Sequence, residues 1–215
     1  MIELYYNAYS VAYFVVSQEM GSKTQMAFLE HLYEDEKEYL LPYYKWDKKA
    51  FFSDVLYFED YLIDREKLDR EFPVIKKDIR ASGRQFDIEE KMSEYPDIDL
   101  FFMIMRPRLL YANEHGYIRM KLRTLLKHYG YKRRSTAITK HMRDCLRFYR
   151  IKSYLSLQIK SQVEIREFFD LPADLIYSIT NRPPLCAGLE QYLIVHINRF
   201  LITRLYTLLP GQNRS

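Results

Sequence analysis

Apolar residues recur at helical spacing through the first third of the chain. In GSKTQMAFLEHLYEDEKEYLLP, Met26, Leu29, Leu32 and Tyr33 share one helical face. The stretch opens at Gly21-Ser22, with Thr24 as a candidate cap, and stops before Pro42. Its EDEKE run, Glu34 to Glu38, reads as a solvated face. In WDKKAFFSDVLYFEDYLIDREKL, Asp47 is a candidate N-cap, and Phe51, Val55, Phe58 and Leu62 are helically spaced. Pro73 and ASGRQ interrupt the pattern, and FDIEEKMSE permits another helix. Pro96 and Pro107 then bracket the apolar run YPDIDLFFMIMRPRLL, where Asp97 and Asp99 read as an N-cap pair. A Pro-Asp nuclease motif would need an acidic-x-Lys element downstream, and none completes it.

ANEHG, Ala112 to Gly116, reads as a turn, and a soft boundary falls between Pro107 and Gly116. The expected division is an acidic, Tyr-rich helical region over 1–110 and a basic region over 111–215. In YIRMKLRTLLKHYG a short helix is predicted, with Ile118, Leu122, Leu125 and Leu126 inward and Arg119, Lys121, Arg123 and Lys127 outward. Gly130 closes it. After the basic turn YKRRS, Ser135 or Thr136 caps a second helix running to about Tyr149. With Lys140 at zero and about 100° per residue, Arg143, Arg147 and Arg150 fall near 300°, 340° and 280°. Ile138, Met142, Cys145, Leu146 and Tyr149 fall at about 140–240°. This helix has separate cationic and apolar faces. In IKSYLSLQIK the period becomes two, the mark of a half-buried strand.

FDLPADLIYSITNRPPLCAGL reads as a connector and PGQNRS as a frayed tail. Between them, Ala187 to Leu209 is long enough to span a bilayer, but Glu190, His196, Asn198, Arg199 and Arg204 lie within it. A long apolar helix is expected there instead. Ile194, Ile197, Leu201, Leu205 and Leu208 form a stripe that Leu193, Phe200, Ile202 and Leu209 widen beyond one face. Such a helix belongs at the centre of a fold or in an oligomer interface.

Six Gly and eight Pro are too few for a turn-rich all-β chain and favour long helices. The fold class expected is therefore mainly α, with a small β element. The net charge of +4 hides an asymmetry. Residues 1–100 carry 13 Lys and Arg against 22 Asp and Glu; residues 101–215 carry 20 against 7. The basic half is suited to a polyanion, or the two halves attract each other. Cys145 and Cys186 match no zinc or redox spacing, which predicts reduced thiols in a cytoplasmic protein. MIELYYNAYSVAYFVV has no basic n-region and no small-residue cleavage site, so no signal peptide is read.

From Leu125 to Lys160 the chain carries ten Lys or Arg and one acid, Asp144. Helix, tight turn, amphipathic basic helix and strand is the order of a winged helix-turn-helix. Leu122 to Ile151, with Leu125-Leu126, Tyr129-Gly130, Arg133-Arg134-Ser135 and Ile138, resembles the winged-helix module of various prokaryotic defence and DNA-associated proteins. That resemblance implies a role in bacterial or phage conflict systems.

The expected function is non-catalytic binding of nucleic acid, duplex DNA foremost. The candidate contacts are Lys127, Lys132, Arg133, Arg134, Thr139, Lys140, Arg143, Arg147, Arg150 and Lys152. Tyr129, Tyr131 and Tyr154 are placed either to stack on unpaired bases or to pack flat on the wing. His141 and Cys145, four residues apart, find no second ligand pair, so no metal or cofactor is expected. No glycine-rich phosphate loop, Gly-x-Ser-x-Gly or His-Glu-x-x-His occurs. A protein partner or homo-oligomer is expected, and no membrane. The rival reading is an assembly subunit whose basic face docks an acidic partner.

Overall fold

The computed structural model describes residues 4–75, 92–112, 117–132, 135–159, 162–167 and 190–196. They fall into two compact units, residues 4–112 and residues 117–196. The described part is mainly α.

In the first unit, α1 (Ala8–Ser17) is buried along its whole length. Its run VAYFVV is β-branched and aromatic, so helix propensity does not explain it. Capping and burial do. Asn7 Oδ1 accepts from the Ser10 amide at 2.7 Å, and the Ser10 hydroxyl donates back to the Asn7 carbonyl at 2.9 Å. The helix packs against α3 (Lys48–Tyr61) and α4 (Pro96–Pro107). Phe14 meets Phe28 at 5.1 Å, and Tyr9 meets Phe58 edge-on at 6.0 Å.

α2 (Ser22–Asp35) begins at Gly21 rather than at Thr24, and buries Gln25, Phe28, Leu29, Leu32 and Tyr33. Met26 lies off that face and is exposed, contrary to expectation. A 3-10 turn, Lys37–Tyr39, follows. α3 starts as its sequence predicts: Asp47 Oδ1 accepts from the Ala50 amide at 2.8 Å, with Phe51, Val55 and Leu62 buried. α4 has Pro96 at its first turn, where a missing N–H costs nothing. Asp97 and Asp99 are not its caps. Asp97 Oδ1 accepts from the Ile75 amide at 2.9 Å, and Asp99 Oδ2 from the Ser93 amide at 2.7 Å, so both tie neighbouring chain to the helix. Pro107 cannot donate to the carbonyl a turn earlier, and the helix widens into a π turn, Arg108–Ala112. The helix expected in FDIEEKMSE lies outside the described residues as far as 91, and Met92 to Glu94 are not helical.

The second unit runs β1 (Tyr117–Lys121), α5 (Leu122–His128), α6 (Thr136–Phe148), β2 (Lys152–Ile159), β3 (Gln162–Glu167) and β4 (Glu190–His196). The strands form one antiparallel sheet in the order β1-β4-β2-β3. Two expectations are corrected. The helix predicted from Tyr117 is a strand as far as Lys121, with Met120 buried between exposed Arg119 and Lys121, and only Leu122–His128 is helical. The apolar helix predicted over Ala187–Leu209 is a strand at Glu190–His196, paired with β1 on one side and β2 on the other. Tyr192, Leu193, Ile194 and Val195 are residue types that suit a central strand. Residues 197–209, the connector and the tail lie outside the described residues. The β element is thus a four-stranded sheet. No helix among the described residues is long and apolar enough to cross a membrane.

Candidate functional site

α6 carries the chemistry singled out in the sequence. Ser135 caps it: its Oγ accepts from the Ile138 amide at 3.1 Å. Ile138, Met142, Cys145 and Leu146 are buried, while Lys140, Arg147 and Arg150 are exposed and Arg143 is half-buried. Asp144, the acid on this helix, pairs with Arg147 at 3.6 Å. Cys145 is a buried thiol.

Thr139 departs from expectation. It is only 8% exposed, and its hydroxyl donates to the Ser135 carbonyl at 3.0 Å. It belongs to the capped first turn rather than to the exposed face, because it lies beside the apolar stripe. Lys127, Lys132 and Lys152 are exposed at the end of α5, in the turn after it and at the start of β2. Arg133 and Arg134 lie outside the described residues. Tyr129 and Tyr131 are half-buried, and Tyr154 stands in β2 opposite Ile194 and Glu167 in the register.

Both helices of this segment end in the same way. The Gly130 amide donates to the Lys127 carbonyl at 3.1 Å and the Tyr131 amide to Leu126 at 2.8 Å. After α6, the Arg150 amide donates to Arg147 at 3.0 Å and the Ile151 amide to Leu146 at 2.9 Å. These are Schellman closures, with Leu146 and Ile151 forming the buried apolar pair that accompanies one. Gly130 takes φ +79° and Arg150 φ +51°. The αL turn therefore ends the helix at Arg150 and starts β2 two residues later.

The first unit holds polar residues whose roles the sequence did not reveal. Glu36, within the EDEKE run expected to be solvated, is buried. It accepts from Arg106 Nε at 2.6 Å and from Nη2 at 3.0 Å, and the Arg106 guanidinium lies 4.1 Å from the Tyr39 ring centroid. Burial pushes the Glu36 carboxyl above its ordinary range, against the pull of the Arg106 hydrogen bonds and charge. Glu59 is held similarly, by Gln25 Nε2 at 2.5 Å and Arg65 Nη2 at 2.7 Å. Burial also raises the phenol of Tyr44, whose hydroxyl donates to Asp54 Oδ2 at 2.7 Å. These are ties between helices and loops. Chain position gave no sign of them, since Glu36 and Arg106 stand in different helical segments far apart in sequence. Compared with protein-family models, with curated proteins and with solved structures, this chain matches none.

Proposed function

We propose that this protein binds nucleic acid, duplex DNA foremost, through the outward face of α6 and the basic segments beside it. The observation that carries the reading is the division of α6 into a buried apolar side and a solvated side bearing Lys140 and Arg147, with exposed Arg150 just past its end. A helix of this kind fits the major groove, and each Lys or Arg that reaches a phosphate releases condensed counterion. The order β1-α5-α6-β2-β3 supports a winged-helix reading in which α6 is the recognition helix and β2–β3 the wing. The resemblance noted from the sequence adds the setting of prokaryotic defence.

The test is binding to a random-sequence duplex across a salt series. Affinity is expected to fall linearly in log K against log salt. Lys140→Ala or Arg147→Ala should each lower that slope by about 0.9, because one phosphate is no longer neutralised. Absence of binding at low salt refutes the proposal and leaves the rival, in which the same face docks an acidic protein.

A further inference from the structure

Strand register sorts the sheet of the second unit into two unlike faces. Side chains alternate along a strand, and directly opposed residues of antiparallel strands share a face. Met120 pairs with Leu193, Leu193 with Leu155, and Ile118 with Val195, so one face is apolar. Met120 is 7% exposed, and α5 and α6 pack against β1, β4 and β2. That is the face the helices cover.

The opposite face is aromatic and cationic. By register, Tyr117 shares a row with His196 and Lys152, Arg119 with Ile194 and Tyr154, and Lys121 with Tyr192. Arg119, Lys121 and Lys152 are exposed and Tyr117 is 50% exposed, so solvent reaches this face at β1 and at the start of β2. Acids enter only at its margins, with Glu190 at the start of β4 and Glu167 on β3. Tyr154 and Tyr192 stand diagonally on neighbouring strands, positions about 7–8 Å apart.

Antiparallel four-stranded sheets take two or three unpaired bases by stacking them on aromatics of this kind. An apolar protein partner would have to desolvate the three cations, whereas phosphates pair with them. Four strands span about 14 Å between the outer backbones, wider than the roughly 12 Å major groove, so a duplex does not admit this face.

We propose that the uncovered face of the sheet binds a single-stranded nucleic acid, with bases at Tyr154 and Tyr192 and phosphates at Arg119, Lys121 and Lys152. This goes beyond the reading above, whose ligand is a duplex held by α6.

The probes are a fluorescein-labelled oligothymidylate of about 12 nucleotides and a blunt duplex of equal length, followed by anisotropy. Tyr154→Leu and Tyr192→Leu should each weaken single-strand binding roughly 5- to 150-fold and leave duplex binding unchanged, while Tyr154→Phe and Tyr192→Phe keep most of the affinity. Circular dichroism checks folding. Arg119→Ala and Lys121→Ala, at exposed positions, serve should the leucine variants not fold. Each should lower the slope of log K against log salt for the single strand by about 0.7. Single-strand binding that all these variants retain and Arg147→Ala loses overturns this inference and places both ligands on α6. Duplex binding without single-strand binding overturns the inference and spares the α6 reading, and failure of both probes to bind overturns both. A gain in mass on concentrating the protein alone, lost in Tyr154→Leu, overturns it in favour of a contact between copies.

Discussion

Arg150 repeats, at the end of α6, the left-handed turn that Gly130 makes at the end of α5. The hydrogen bonds are the same pair, so the difference lies in the residue. Glycine reaches positive φ without steric cost, whereas a side chain there costs about 1–2 kcal/mol. A Cβ added at Gly130 meets no atom within 4 Å, so Gly130→Ala should lose about 1 kcal/mol from backbone strain alone. Arg150→Gly relieves strain but loosens the unfolded chain, for a net gain of up to about 1 kcal/mol. Urea midpoints of both variants measure this. A destabilised Arg150→Gly would show that its side chain supports the fold.

The Glu36–Arg106 pair should respond to pH once broken. Arg106→Met removes the bonds and charge that pull the Glu36 carboxyl down, leaving burial, which raises it further above the ordinary 4.5. A carboxyl whose native pKa is raised contributes stability below its unfolded value and loses that contribution as pH rises through the native one. At neutral pH the variant should therefore lose about 3–5 kcal/mol, the cost of an uncompensated buried charge. The loss relative to wild type should shrink on moving to about pH 5 as Glu36 takes a proton. Denaturant titrations of both proteins at the two pH values decide it, and a pH-independent loss rejects the account.

Groove reading is separable from generic attraction. Arg143, half-buried in the middle of α6, is the candidate for a base contact, and Arg150, past its end, for a phosphate. Arg143→Ala should change the ranking of sequences in a binding selection, by about 1–3 kcal/mol at the position read. Arg150→Ala should weaken all sequences alike. Thr139→Val should leave the ranking unchanged, because the hydroxyl is engaged by the Ser135 carbonyl. Equal, sequence-blind losses from Arg143→Ala and Arg150→Ala leave electrostatic attachment only.

What the sequence determined by itself was local. The Asp47 cap, the split faces of α6, the Gly130 closure and the alternation that became β2 each depend on residues within a turn or two of one another. Side-chain geometry and backbone sterics over that distance are encoded directly in residue order. The tertiary structure decided the rest. VAYFVV became a helix because its neighbours bury it on every side, and the apolar run YLIV became part of a strand because β1 and β2 offer it two edges. Ile118, Met120 and Leu122 alternate with Arg119 and Lys121, so β1 was legible at period two. With Leu125 and Leu126 following, the helical period fitted as well, and the pairing of Tyr117 with His196 settled it. Glu36 looked solvated within its acidic run, and only the arrival of Arg106 from a remote helix made a buried charge tolerable. Short apolar runs and single charges take their state from partners distant in the chain, and a local period carries no record of those partners.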